Sequence, residues 1–163
     1  MEKLNLLNLL YENEKIIIPK LSGNKTIYES KVPFSFYLDY NFKDWGLNKK
    51  SRRTSEIEVK VYEAIKNATF KEMFTSLSNN LDSLCLTQHQ IINFCFKYFQ
   101  YLRRDGYATL FLLKKKNLFR KDEFFVVSVG VGSGGLSVYV DHFDDTYVWD
   151  ANCRRRLVLP KAD

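Results

Sequence analysis

The hydrophobic pattern in the middle of the chain predicts one long helix. Thr87 and Gln90 form a capping box, because a threonine followed three residues later by a glutamine satisfies two backbone donors at a helix start. Gly106 follows the last apolar residues, as a helix-ending glycine would. Apolar residues between these signals recur at every third and fourth position: Ile91, Ile92, Phe94, Cys95, Phe96, Tyr98, Phe99 and Leu102. We therefore expect a continuous, largely buried helix over residues 88–104.

Beyond the helix the pattern changes to that of strands. The predicted strands are residues 107–113, 124–131, 136–140, 146–149 and 156–159. Their short connectors are rich in Lys, Asn, Gly, Ser and Asp, which is typical of an antiparallel meander. The expected fold is α+β, with a C-terminal antiparallel sheet of four or five strands packed on a central buried helix.

The N-terminal part has weaker signals. Leucines at helical spacing favour a short amphipathic helix over residues 3–11, and the isoleucines at 16–18 indicate a strand. Residues 26–28 and 32–38 are also β-favouring, although Pro33 restricts the second stretch to a sheet edge. This part is therefore expected to be a β-rich segment.

A polar, basic stretch without periodicity separates that segment from the rest. It predicts three parts: an aromatic-rich segment over residues 1–47, a basic connector over 48–55 and an α+β domain over 56–163. The domain would open with a strand, because residues 56–61 alternate strictly, although Ser55 and Glu58 also fit a helix capping box. Residues 70–77 have helical spacing.

Composition places the chain among ordinary globular proteins. With 163 residues, of which 45% are hydrophobic, it is long enough to bury a core. It contains no run of eighteen apolar residues, so we expect no membrane partner. The three cysteines are odd in number and form no CxxC pair, which favours the reducing cytoplasm.

The net charge of +6 is strongly segregated. Residues 41–66 carry +3, 103–123 carry +4 and 151–163 carry +3, whereas 124–150 carry −4. Such blocks attract nucleic acid or an acidic protein if folding brings them together. The candidate nucleic-acid-binding residues are Arg103, Arg104, Lys114, Lys115, Lys116, Arg120, Lys121, Arg154, Arg155 and Arg156. Solvated turns are the alternative interpretation.

Two further patterns bear on this hypothesis. A helix pair followed by a basic hairpin resembles a winged-helix arrangement, but the helix that would enter the major groove is apolar nearly all round. The aromatic residues between Tyr28 and Trp45 precede the basic connector, as in proteins that stack single-stranded bases. Packing of this β-rich segment onto the main domain, or onto a partner subunit, explains the same aromatic residues more simply.

The segment Gly130–Gly135 matches the pattern G-x-G-x-x-G of dinucleotide-binding turns. A strand follows it, however, so no helix N-terminus is present to hold a pyrophosphate. We expect a hairpin turn, and the sequence indicates no cofactor.

Metal and thiol chemistry have weak support. Asp141, His142, Asp144 and Asp145 are potential metal ligands, but strand alternation sends neighbours to opposite faces. Cys85, His89 and Cys95 match no standard zinc spacing. We expect no metal site and assign no catalytic residue, which leaves enzymatic activity undecided.

Residues 84–160 resemble small bacterial proteins without an assigned activity. The phrases that carry the resemblance are Thr87-Gln-His-Gln-Ile91, Gly106-Tyr-Ala-Thr109 and Tyr147-Val-Trp-Asp150. It implies no ligand, partner or catalytic residue. The first hypothesis is a non-enzymatic binding or regulatory protein that contacts nucleic acid or another anionic partner through basic loops. The alternatives are a metal-dependent hydrolase or nuclease and a self-associating module that forms a homo-oligomer.

Overall fold

A mixed β-sheet forms the framework of the protein. The computed structural model describes residues 5–105 and 107–162. Within them the sheet has eight strands: β1 (Leu7–Leu10), β2 (Ile16–Ile18), β3 (Tyr37–Leu38), β4 (Ile57–Ala64), β5 (Ala108–Lys115), β6 (Glu123–Gly132), β7 (Gly135–His142) and β8 (Arg156–Pro160). Their order is β1-β4-β8-β5-β6-β7-β3, and β2 pairs with β4 next to β1.

The predicted meander is confirmed in β5, β6 and β7, which pair antiparallel. The predicted sheet of four or five antiparallel strands is too small, because strands from the N-terminal segment join it. It is also mixed, since β8 runs parallel to β5 and β3 runs parallel to β7. The fold is therefore α+β but dominated by strands, and the division into three parts stays a prediction.

The helices are short. They are α1 (Asn41–Asp44), α2 (Phe70–Thr75) and α3 (Gln88–Lys97), with single 3₁₀ turns at Leu81–Leu84, Phe99–Tyr101 and Ala151–Cys153. Capping boxes begin α2 at Thr69 and α3 at Thr87. Within the described residues, no helix has the length and apolar character needed to cross a bilayer.

The expected continuous helix over residues 88–104 is wrong in its second half. The α-helix ends at Lys97, where Tyr98 leaves helical geometry with φ −118°. The Tyr98 hydroxyl donates to the carbonyl of Ile17 at 2.7 Å, which fixes the ring against β2. A tertiary contact therefore sets the helix end, and Gly106 lies outside the described residues.

Two other local predictions also differ from the structure. Residues 7–10 form a strand and not part of a helix, because they pair with β4 along their whole length; residues 3 and 4 lie outside the described part. Residues 146–149 form a loop in which Trp149 makes a single bridge to Ala68. Leucine spacing alone could not distinguish a helix from a strand at residues 7–10.

Core side chains cover both faces of the sheet. Phe111 and Leu113 of β5 lie in the cluster that contains α3 and much of the N-terminal segment. Their neighbours Leu110 and Leu112 point to the other face, which packs against α2. Strand alternation therefore places β5 between two apolar layers. Lysines continue β5 beyond this core, at the edge where the candidate site lies.

Candidate nucleic-acid interface

The ten candidate basic residues fall into two groups at opposite ends of β5. Arg156 is in register with Thr109 at the start of β5. Lys115 ends the strand, roughly 20 Å away at about 3.3 Å per residue. The lysine end comprises Lys114, Lys115, Lys116, Arg120 and Lys121, and the arginine end comprises Arg103, Arg104, Arg154, Arg155 and Arg156. Folding therefore does not bring all the basic blocks together, because β8 runs parallel to β5 and begins where β5 begins.

At the arginine end most guanidinium groups are engaged within the protein. Arg155 lies over Trp149, with the guanidinium carbon 4.3 Å from the ring centroid. Arg156 lies over Tyr11 at 5.5 Å and donates to the Tyr101 carbonyl at 2.7 Å. Arg103 and Arg104 similarly lie over Tyr107 and Phe99. Arg103, Arg155 and Arg156 are partly buried in these contacts, whereas Arg104 is exposed and the side chain of Arg154 is 68% exposed.

The lysine end surrounds a pocket of about 420 Å³. Its basic lining residues come from two distant parts of the sequence: Lys49, Lys50, Arg52, Lys114, Lys115 and Lys116. The pocket also contacts the start of α3 at Thr87 and Gln88, and it has an apolar floor formed by Leu47, Leu86 and Leu113. No acidic residue lines it among the described residues. We call it the cationic pocket.

Hydrogen bonds from Gln88 hold the basic connector against α3. The buried Gln88 amide donates to the carbonyls of Leu47 and Lys49 and accepts the N–H of Ile27. The connector is fixed further along by Ser51, whose N–H donates to the Gly23 carbonyl at 2.9 Å. Lys49, Lys50 and Arg52 are thereby placed at the pocket by backbone contacts that leave their side chains exposed.

The start of α3 is held against the end of β5 in the same way. The N–H of Leu86 donates to the Leu112 carbonyl at 3.0 Å, next to a bridge between Cys85 and Leu112. This contact brings the residues that precede α3 beside Lys114–Lys116. The two basic segments consequently face each other across the pocket.

The lysines of the pocket differ in how they are engaged. Lys114 pairs with Asp82 at 3.0 Å and with Asp122 at 3.7 Å, and its hydrogen bond to Asp82 raises its pKa. Lys115 donates to the Trp45 carbonyl at 2.9 Å. Across residues 5–105 and 107–162, no ion pair or side-chain hydrogen bond engages the charged groups of Lys49, Lys50, Arg52 and Lys116. Those four charges are available to an anion.

The hairpin that follows Lys116 presents two apolar side chains to solvent. Leu118 and Phe119, at its tip, are 90% and 96% exposed. Asn117 fixes the loop: its N–H donates to Asp122 at 3.2 Å and its side-chain amide donates to the carbonyl of Lys121 at 3.0 Å. The loop thus exposes an aromatic ring between Lys116 and Arg120 in the sequence.

Sequence reasoning identified one half of the pocket and not the other. Lys114, Lys115 and Lys116 were candidates, whereas Lys49, Lys50 and Arg52 were interpreted as an exposed connector. The sequence signal for this second half of the pocket is the positive charge of the connector, next to the aromatic residues that precede it. Those aromatic residues divide in the structure: Phe34 and Phe42 are buried in the core, whereas Phe36, Tyr37 and Tyr40 are exposed.

The glycine-rich segment forms the predicted hairpin turn. Gly132 pairs with Gly135, so β6 and β7 are joined by Ser133 and Gly134. Gly135 has φ +125°, which side chains rarely adopt, and a Cβ on Gly134 would meet the Phe36 ring. The turn therefore packs against residues 35–36.

The Asp141–Asp145 segment is a strand end and turn, as predicted. His142 packs on Trp45 with ring centroids 4.3 Å apart, whereas its neighbour Asp141 points to the opposite face. Burial, then Asp145 and Asp39, raise the pKa of Asp141. No group of three or more His, Cys, Asp or Glu side chains in the described part of the chain could hold a metal ion.

The cysteines are free thiols. Burial raises the pKa of Cys85 to about 12 and also raises that of the fully buried Cys95. Since the thiolate is the reactive form, neither thiol is activated as a nucleophile.

Comparisons of the chain with protein-family models, with curated proteins and with solved structures found no match.

Proposed function

We propose that the protein is a binding or regulatory protein that contacts nucleic acid through the cationic pocket and the adjoining basic hairpin. The observation that carries the proposal is the meeting of two distant basic segments, 49–52 and 114–116, around one pocket without an acidic lining residue among those described. Such convergence concentrates positive charge where a phosphate chain can reach it. Phosphates would supply most of the affinity.

The engagement of individual side chains supports the lysine end over the arginine end. Lys49, Lys50, Arg52 and Lys116 keep their charged groups exposed, whereas Arg155 and Arg156 lie over aromatic rings. Arg155 and Arg156 are also only partly exposed, and Arg156 already donates to the Tyr101 carbonyl, so a phosphate has less access to them. The N-terminal end of α3, where the helix dipole favours negative charge, lies beside the lysines.

Fluorescence anisotropy with labelled oligonucleotides tests the proposal. If four side chains meet phosphates, log K should fall against log salt with a slope of about −2.8 for a single strand or about −3.6 for a duplex. Lys116→Gln should reduce the slope by about one contact and weaken binding at low salt.

Arg154→Gln is the matched control, because it removes another exposed cation at the opposite end of β5. It should leave the affinity and the salt slope unchanged. If Arg154→Gln and Lys116→Gln weaken binding equally, the lysine end has no special role. If no DNA or RNA binds at low salt, the nucleic-acid proposal is wrong.

Self-association is a second candidate, favoured by exposed aromatic residues at the β3 edge of the sheet. Tyr37 and Tyr139 stack with ring centroids 5.0 Å apart, and both remain nearly half exposed. Phe36 and Tyr40 are exposed on the same segment. Sedimentation velocity should show a concentration-dependent mass that Tyr139→Ser abolishes; a monomer at all concentrations would eliminate this candidate.

A further inference from the structure

The volume and the apolar lining of the cationic pocket restrict its ligand more narrowly than the positive charge alone. A volume of about 420 Å³ lies within the range of roughly 300–1,000 Å³ typical of small-molecule sites. Its floor is apolar, formed by Leu47, Leu86 and Leu113, while its cations stand at the rim. A ligand that fills it needs a flat or apolar part that enters and an anionic part that stays outside.

A duplex does not present that combination. Its bases are stacked inside the helix and its phosphates lie on a convex surface, so the apolar floor would stay unfilled. An unpaired nucleotide does present it, because its base can leave the stack while its phosphates remain exposed. Resting on the proposed function, we infer that the cationic pocket binds single-stranded nucleic acid, with one unpaired base on the apolar floor and the flanking phosphates at the rim.

The basic hairpin offers a second place for a base. Lys116 lines the pocket and is followed directly by the loop that carries Phe119, so the two places are neighbours along the chain. Phe119 is 96% exposed and has cations on both sides in the sequence. An aromatic ring beside a cationic track is the arrangement that stacks bases without regard to sequence. We therefore expect the Phe119 ring to stack on a second base of the same strand.

The test compares three probes of equal length at one salt concentration: an oligothymidylate, an abasic strand with the same phosphates, and a duplex. The oligothymidylate should bind more tightly than the abasic strand by at least the roughly five- to 150-fold expected of one stacked base, because the abasic strand loses both the base on the pocket floor and the base at Phe119. It should also bind more tightly than the duplex. Phe119→Ala should weaken binding of the oligothymidylate by the factor expected of one stacked base. It should leave the salt slope unchanged, since no charge is lost.

Matched variants separate the site from general surface effects. Phe96→Ala is the control for Phe119→Ala, because Phe96 is also exposed but lies near the end of α3. Ser51→Leu places a larger side chain in the pocket lining and should weaken binding of the oligothymidylate only. Ser55→Leu, at a position outside the lining, should leave binding of all three probes unchanged.

The possible failures are distinguishable. Equal binding of the abasic strand and the oligothymidylate, or preference for the duplex, overturns the inference and leaves the proposed function standing. Failure of all three probes to bind at low salt overturns both.

Discussion

The backbone N–H of Gly23 donates a hydrogen bond to Nδ1 of His89 at 3.0 Å. This contact requires a neutral imidazole, and it helps to hold the loop that carries Gly23 against α3. Burial, then the charge of Lys25, lower the pKa of His89 below its ordinary value of 6.5. The unfolded chain therefore takes up the proton more readily than the folded protein.

The first prediction is a loss of stability at mildly acidic pH. The contribution of His89 is complete above pH 6.5 and is lost as the pH falls from there through the folded-state pKa. Urea unfolding should show that wild type loses more stability than His89→Gln between pH 7 and pH 5. Identical pH dependence in wild type and His89→Gln would refute the prediction.

The second prediction concerns Asp141, whose pKa is raised above its ordinary value of 3.8 by burial and by Asp145 and Asp39. The fold favours the protonated acid, so stability is lost as the pH rises through the folded-state pKa. Asp141→Asn should be more stable than wild type at pH 7, and the difference should vanish below pH 3.8. Asp144→Asn in the exposed turn is the control. A destabilised Asp141→Asn at pH 7 would contradict this reasoning.

The third prediction tests the packing of α3. Phe94 is fully buried and contacts Phe111 of β5 with ring centroids 5.7 Å apart. Phe94→Ala should cost about 3–5 kcal/mol in the free energy of unfolding, as truncation of a core aromatic residue does. Phe96→Ala on the exposed side of the same helix should stay within about 0.5 kcal/mol. A loss below about 1 kcal/mol for Phe94→Ala would show that α3 is not packed as described.

The fourth prediction is that the arginine end is structural. Arg156→Ala removes the donor to the Tyr101 carbonyl and the contact with Tyr11, so it should cost about 1–3 kcal/mol in urea unfolding. Arg154→Ala, at an exposed position with only a distant pair to Glu63, should change stability by less than about 0.5 kcal/mol. Equal losses in the free energy of unfolding for the two variants would show that the contacts of Arg156 do not stabilise the fold.

Local signals in the sequence predicted local structure well. Thr87 and Gln90 form the capping box that the sequence indicates, because both partners lie within one helical turn. Strict alternation similarly predicted β4, and glycines predicted the turn between β6 and β7. The end of α3 escaped prediction because Tyr98 is held by Ile17, a residue far away in sequence.

The candidate site also depends on contacts between residues that are far apart in sequence, which local patterns do not predict. The charge of Lys49–Arg52 and of Lys114–Lys116 is plain in the sequence, but nothing local says that the two segments meet. Gln88 holds the first segment against α3 through the carbonyls of Leu47 and Lys49, and Leu86 holds the start of α3 against β5. A glutamine at a helix start gives no sign of such partners. Equally, the parallel pairing of β8 with β5 separates the arginines from the lysines, and strand patterns do not encode the direction of a neighbour.

The position of β8 has a consequence for biosynthesis. β8 lies between β4 and β5, although both of those strands are made well before it. Until residues 156–160 leave the ribosome, β4 and β5 each keep an open edge of unpaired backbone groups, and such edges readily add strands from other chains. A nascent chain that stalls before Arg156, or a product truncated there, should therefore depend on chaperones or aggregate, whereas the longer chain closes the gap by itself.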